Sequence, residues 1–386
     1  MNNFEFYNPV RVLFGEGQIA KIVDLLPDNG KILLVYGGGS IKMNGVYDQV
    51  LEVLSTKSFV EFGGIKPNPE YEFLLPAIDL VKSENIEFIL AVGGGSVVDA
   101  CKFISAAANY DGDDPWSILS NADPVKSAIP LGVILTLPAT GTEMNGNSVI
   151  TRASTKEKFA FSSPEVFPQF SVLDPTITYS LPRSQVVNGV IDAYIHVIEQ
   201  YLNYHESADV QDHYAESLLR ILKTEGGRAI TFEKPDYNNR ANIMWAATNA
   251  LNHFLSAGVT VDWTTHMLGH ELTALHGLDH AVTLAIVLPG VMKVMKEVRK
   301  EKLLQYANRI WDLSGSDHSG IIDQAILNTE QFFIKLGVGV RLSDYGIDSS
   351  TIDQIVSRLE KRGVEYLGRA GDLKLEHVRP ILESRL

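Results

Sequence analysis

"AVGGGSVVDACK", residues 91–102, decides how the first half of this chain is read. The run that enters it, "EFILAV", is apolar without alternation, as in strands buried on both faces of a parallel sheet. Gly93-Gly94-Gly95-Ser96 then turn the chain, and "SVVDACKFISAAA" leaves at helical spacing. Strand, glycine turn and helix place free backbone N–H groups where an anion can approach a surface without Cβ atoms. A pyrophosphate fits such a turn, although the same turn also closes strands that bind nothing. The stretch is not the G-x-G-x-x-G fingerprint with an acid about 20 residues on, and it lacks the G-K-[ST] of a P-loop.

The device occurs twice. "KILLVYGGGSIKMNG" (31–45) is a second apolar run closed by three glycines, and "IPLGVILTLPAT" (129–140) is a third buried run. Residues 45–56 and 71–84 between them carry helical spacing, and residues 153–174 read as β structure. The β-α-β-α-β order predicts a parallel sheet with helices on both faces. At the end of the 31–37 run, many dinucleotide sites place an acid that holds a ribose 2′-hydroxyl. Here Gly38, Ser40 and Lys42 offer space, a hydroxyl and a cation instead, which suits a 2′-phosphate and therefore NADP(H); a solvated loop lysine is the plainer alternative.

After Asp174 the pattern becomes helical. "LPRSQVVNGVIDAYIHVIEQYLNYH" opens on Pro182, and residues 239–258, 261–277, 283–300 and 349–363 continue at helical intervals. The expected division is an α/β domain over 1–180 and an all-α domain over 181–386. No internal repeat or low-complexity segment interrupts it.

Net charge is −14 over 386 residues, with 45% apolar and 21% charged residues. That balance argues against nucleic acid and anionic membranes as main partners, while leaving room for a small phosphorylated ligand. No apolar run reaches the about 18 residues of a membrane span. The start "MNNFEFYNPVRVLF" has no basic stretch followed by an apolar one, so no secretory signal is expected and a cytoplasmic location is. Cys101, the one cysteine, cannot form an intrachain disulfide and reads as a buried, inert thiol.

"THMLGHELTALHGLDHA" (265–281) holds four of the ten histidines. His266 and His270 are four apart and share a helix face. His276 points elsewhere, and His280 lies beyond Gly277. The H-E-x-x-H signature is absent because residue 274 is alanine. Upstream, Asp192 and His196 are four apart on an otherwise apolar helix, where an aspartate is seldom buried unless paired or metal-bound. Singly, each histidine is a core or surface residue. Together, the acid–imidazole pair and two imidazoles from the later segment form an N/O set suited to Zn2+ or Fe2+.

With these residues in view, the chain resembles the iron-containing (group III) alcohol dehydrogenases nearly end to end. The resemblance rests on "PVRVLFGEG", "GGIKPNPEYE", "AVGGGSVVDACK", "TLPATGTE", "VLDP", "LPRSQVVNGVIDAYIHVIEQY" and "HMLGHELTALHGLDHA". Within the family it is similar to the NADP(H)-dependent butanol dehydrogenase and broad-range aldehyde reductase branch. The resemblance implies a dehydroquinate-synthase-like fold, with cofactor in the cleft between an α/β nucleotide domain and a helical metal domain. It implies one divalent ion on Asp192, His196, His266 and His280, with His270 near nicotinamide and substrate. Gly94, Gly95 and Ser96 would meet the pyrophosphate, with Asp99 close by. Asn68 would lie at the adenosine end, Gly38, Ser40 and Lys42 at the 2′-phosphate, and Thr136, Thr140, Asn145 and Lys158 about ribose and nicotinamide. The implied activity is hydride transfer between NADP(H) and a small aldehyde or primary alcohol, mainly as aldehyde reduction, by a homodimer. The alternative is a nucleotide- and metal-binding homologue of the dehydroquinate synthase superfamily with lyase activity or none. Two departures bear on the pocket: Asp279-His280-Ala281 stands for the common P-H-G, and Gly141-Thr142-Glu143 for G-S-E.

Overall fold

The computed structural model describes residues 1–204 and 206–386. The chain divides into two compact units. One comprises Tyr7–Pro182 with Lys234–Asn252, the other Met1–Phe6, Arg183–Glu233 and His253–Leu386.

The sheet unit contains β1 (Arg11–Phe14), β2 (Lys31–Gly37), α1 (Ser40–Met43), α2 (Val46–Leu54), β3 (Ser58–Ile65), α3 (Tyr71–Ser83), β4 (Ile86–Gly94), α4 (Gly95–Ala108), α5 (Ser117–Ser120) and β5 (Leu131–Leu137). The hairpin β6 (Asn147–Arg152) and β7 (Glu157–Ser162) follows, then β8 (Phe170–Leu173). Six strands pair in the order β1-β8-β5-β4-β2-β3, all parallel. The apolar runs are central strands because their alternate residues enter two cores. Leu33, Val35, Ile89, Ala91 and Val133 pack on one face, whereas Ile32, Leu34, Leu90, Val92 and Ile134 pack on the other. From β2 the chain moves outward to β3, then returns to β4 on the opposite side of β2. The order therefore reverses between β2 and β4, and the two glycine turns follow those strands. Ligands in open parallel sheets bind outside the carboxyl ends of strands at such a reversal.

β3 was not among the expected strands. It is an edge strand with mostly exposed or half-buried residues, including Glu61, so it carries no apolar run.

The second unit contains α6 (Arg183–Tyr201) and α7 (Asp209–Ala229). The next helix, α8 (Tyr237–Ala250), groups with the sheet unit, where Met244 joins one face's core. Its helical spacing continues to Gly258, but the helix stops at Ala250; His253 and Gly258 take φ of 70° and 72°. The helical unit resumes with α9 (Thr264–His276), α10 (His280–Val294), α11 (Lys300–Trp311), α12 (His318–Leu336) and α13 (Ser349–Lys361). A two-residue pair, β9 (Tyr366–Leu367) with β10 (Leu373–Lys374), precedes α14 (Val378–Glu383). α6 and α10 are buried on nearly every side. Among the described residues no helix is long and apolar enough to cross a membrane.

Candidate active site

The helical unit brings the acid and the imidazoles together. α6 presents Asp192 and His196 one turn apart, 3% and 4% exposed, so neither is a surface residue. α9 ends at Gly277, whose φ of 68° suits a left-handed C-cap, and the chain turns back so that His280 opens α10. That reversal returns His280 to the face that His266 presents. Asp192 Oδ1 lies 3.6 Å from His196 Nδ1, 4.0 Å from His266 Nε2 and 3.8 Å from His280 Nε2. Ligand atoms of Asp192, His196 and His266 all lie within 4.8 Å of one another.

These separations exceed a hydrogen bond. They lie a few tenths of an ångström above the about 3.4 Å between donors that share a tetrahedral ion at about 2.0–2.1 Å. Burial lowers the His196 imidazole to about 4, although Asp192 pulls it up, so the ring is neutral at pH 7. Neutral imidazole is the ligating form. A buried carboxylate, the neutral His196 imidazole and ion-sized spacing fit a divalent metal. The His270 ring stands 5.2 Å from the His280 ring and 6.4 Å from the His266 ring, half buried; His270 and His280 both lie outside the three-residue group. His276 bonds Thr351 Oγ1 at 3.0 Å and ties α9 to α13.

The sheet unit supplies a candidate anion site. The first turn of α4, which opens with Gly95 and Ser96 after the N-cap Gly94, has no side-chain cap, and first-turn N–H groups have no intrahelical acceptor. A Cβ on Gly95 would lie 2.5 Å from Thr140 Oγ1, so only glycine lets these two expected contacts sit side by side. Thr136, on β5, stands at the register shift where Gly93 pairs with Leu135 and Gly94 with Leu137. Lys158 Nζ, on β7, donates to Asn68 Oδ1 at 2.8 Å, joining two expected residues from distant segments. Gly38 and Ser40 are exposed, and open space surrounds the Cβ position of Gly38. Lys42 lies 4.8 Å over the Tyr36 ring and 4.6 Å over the Tyr47 ring. Both tyrosine hydroxyls donate to Glu61, at 2.9 and 2.8 Å. Glu61 sits on unexpected β3, and nothing in local sequence links it to Lys42.

Asp99 and Asn145 occupy a different setting. Asp99 Oδ1 accepts from Thr142 Oγ1 at 2.7 Å and Oδ2 from the Val149 N–H at 3.1 Å. Asn145 Nδ2 donates to the carbonyls of Gly141 and Leu251, each at 3.0 Å. Both enclose Lys102, a fully buried ammonium whose Nζ has five oxygens within 3.2 Å from Thr142, Asn145 and Asn147. Asp99 and Asn145 thus hold the 141–147 turn from within.

Comparison with known proteins gives the family. An iron-containing alcohol dehydrogenase model covers residues 9–175, and the C-terminal model of the Fe-containing alcohol dehydrogenase family covers 186–381. The chain belongs to the iron-containing alcohol dehydrogenase family. It is 50% identical over 386 residues, all of both chains, to the NADPH-dependent aldehyde reductase YqhD of Escherichia coli. It is 39% identical, again over both full lengths, to a probable NADH-dependent butanol dehydrogenase of Bacillus subtilis. The crystal structure of E. coli YqhD matches with a TM-score of 0.98 at 49% identity, covering 100% of this chain and 99% of that one. An NADH-dependent butanol dehydrogenase A from Thermotoga maritima matches at 0.95 and 38% identity, with the same coverage.

In this family member two residues about the cluster escaped the sequence reading. Glu199 lies seven residues after Asp192 and three after His196, on the same face of α6. Its spacing was available as a signal. Trp263 packs edge-on at 6.1 Å from the His196 ring and 5.3 Å from the His266 ring. Its φ of 87° is unusual for a bulky side chain, and no sequence feature marks it.

Proposed function

We propose that this protein reduces small aliphatic aldehydes to primary alcohols with NADPH, using one divalent ion, Zn2+ or Fe2+, held by Asp192, His196, His266 and His280. The observation that carries the reading is the convergence of α6, α9 and α10 on one buried carboxylate oxygen. A divalent ion there supplies Lewis-acid polarisation of a carbonyl, and the nicotinamide supplies the hydride. The protein does the rest. The α4 N-terminus, with Gly94, Gly95 and Ser96, binds the pyrophosphate through backbone N–H groups. Gly38, Ser40 and Lys42 receive the 2′-phosphate, with Lys42 held in place by Tyr36 and Tyr47. Asn68 and Lys158 act as a pair toward the adenosine and ribose, while Thr136 and Thr140 line the approach to the nicotinamide. Asp99 and Asn145 shape that approach through the 141–147 turn. His270 stands beside the ligand set and orients the substrate or relays the proton that the product oxygen takes up.

Relatives named for NADPH and for NADH share this fold, so cofactor choice is tested directly. The assay is the initial rate with butanal and either NADPH or NADH, on Zn2+- or Fe2+-loaded protein. The proposal expects a strong NADPH preference. An NADH preference removes the 2′-phosphate role of Gly38, Ser40 and Lys42. No rate with either cofactor and a series of aldehydes contradicts the activity.

The same reading places the protein in the cytoplasm, where a lone thiol such as Cys101 stays reduced. It also makes the protein a homodimer. Among the described residues β1 is an edge strand, paired with β8 alone, so a second copy has an edge to extend. Molar mass by light scattering at twice 42.5 kDa is the expected result.

A further inference from the structure

Glu61 is an acid set close to a lysine that the reading above assigns to a phosphate. On charge alone it is out of place there, because a carboxylate repels a phosphate. Its contacts point to another task. Glu61 Oε2 accepts the Tyr36 hydroxyl at 2.9 Å, and Oε1 accepts the Tyr47 hydroxyl at 2.8 Å. The two rings stand 6.0 Å apart, turned 70° to each other. Lys42 Nζ lies over both, 4.8 Å from the Tyr36 centroid and 4.6 Å from the Tyr47 centroid, within the about 6 Å of a cation–π contact. β2, α1, α2 and β3 thus each give one residue to a frame that the carboxylate closes.

The backbone makes room for this frame. Val35 pairs with Phe62 and Gly37 with Ile65, so β3 sets Gly63 and Gly64 against Tyr36 alone. A Cβ on Gly63 would lie 2.5 Å from Tyr36 Cε2 and 2.9 Å from its hydroxyl oxygen. The ring therefore reaches Glu61 across a glycine, and a side chain at 63 would displace it.

Lys42 and Glu61 are exposed, and the two tyrosines are half buried. A solvated lysine loses side-chain freedom when it meets a ligand. Here two rings restrict the ammonium beforehand, and the carboxylate ties the rings together. We infer that Glu61 is a positioning residue that, through Tyr36 and Tyr47, holds Lys42 for the 2′-phosphate of NADPH and so favours that cofactor over NADH. The inference rests on the 2′-phosphate reading of Lys42 and adds a claim opposite in sign to the charge: removing an acid weakens binding of the more negative cofactor. It also reverses the usual use of an acid in a dinucleotide site, which accepts the ribose 2′-hydroxyl and favours NAD(H).

Glu61→Ala tests it, with dissociation constants of NADPH and NADH measured by fluorescence titration instead of turnover. NADPH binding is expected to weaken roughly 3–5-fold, the scale of exposed cation–π and charge contacts, with NADH binding unchanged. Tyr36→Phe/Tyr47→Phe keeps both rings, removes both bonds to Glu61, and should match Glu61→Ala. In a Lys42→Ala background, Glu61→Ala is expected to add nothing. Parent-like NADPH binding in Glu61→Ala, with binding weakened in Lys42→Ala, overturns the inference and keeps the phosphate role of Lys42. Tighter NADPH binding in Glu61→Ala would make Glu61 a plain repulsive charge, and weaker NADH binding would make it a ribose acceptor; either result overturns the inference. Unchanged NADPH binding in Lys42→Ala overturns the phosphate reading, and this inference with it.

Discussion

The molecule buries charge in two places, and it treats them differently. In the sheet unit, the Lys102 ammonium is surrounded by five oxygens at hydrogen-bonding distance, with Asp99 joined to the same cage through Thr142. Burial lowers Lys102 to about 7, while Asp99 and Glu143 oppose that shift. Three of the five oxygens are backbone carbonyls, which a charged ammonium satisfies best. In the helical unit, Asp192 and three imidazoles stand 3.6–4.0 Å apart, too far to bond one another and close enough to share an ion. The first cluster is closed by its own chain and holds a turn. In the second, a carboxylate and three imidazoles from α6, α9 and α10 meet at ion-sized separations. Buried polarity alone does not mark an active site; what separates the two is the spacing of the polar atoms.

The largest effect that sharpens this contrast is on stability. Lys102→Met leaves three carbonyls and the buried Asp99 without their cation, and is expected to cost about 3–5 kcal/mol. Chemical denaturation should show that loss with metal content per folded chain unchanged. A variant as stable as the parent would mean that the cage is not closed.

A smaller but cleaner test concerns the edge of the open cluster. His270→Ala should retain the ion and lose roughly 100-fold in kcat. Loss of metal together with rate would make His270 a ligand and redraw the site. Next, Lys42→Ala should raise KM for NADPH about tenfold. Activity with NADH should be unmoved. Equal effects on both cofactors would place Lys42 away from the 2′-phosphate.

The smallest expected effect comes from a satisfied group near the surface. Glu72, at the start of α3, accepts the N–H groups of Ala153 and Ser154, each at 3.1 Å. Burial alone would raise its carboxyl, but these donors outweigh burial and bring it down to about 2. The folded value lies below the unfolded value of 4.5. The contribution is therefore full above that value and disappears as pH falls toward 2. Glu72→Gln should flatten the loss of stability across that window and change little at pH 7. An unchanged acid limb would contradict the role of these hydrogen bonds.

Much of this was legible in the sequence because the relevant signals are local. A glycine turn between an apolar run and a helix is contiguous, so residues 91–102 reveal the strand, the turn and the helix together. Asp192/His196 and His266/His270 follow from helical spacing, and Gly277 announces the reversal that returns His280. What escaped depends on neighbours distant in sequence. Edge strand β3 lacks an apolar run because one side meets no other strand. The helical pattern of α8 gives a helix without saying which core receives Met244. Glu61 and Lys42 come together only because β3 flanks β2. Glu199 was within reach by spacing, but its partner, the Thr265 N–H of α9, lies 66 residues later.

The central claim is that the open cluster binds one ion and that its four residues hold it. Metal content per chain, by elemental analysis after Zn2+ loading and desalting, tests it most directly in the parent and in Asp192→Ala. One equivalent in the parent and none in the variant is the predicted result. Equal stoichiometry in both, or none in the parent, would contradict the account.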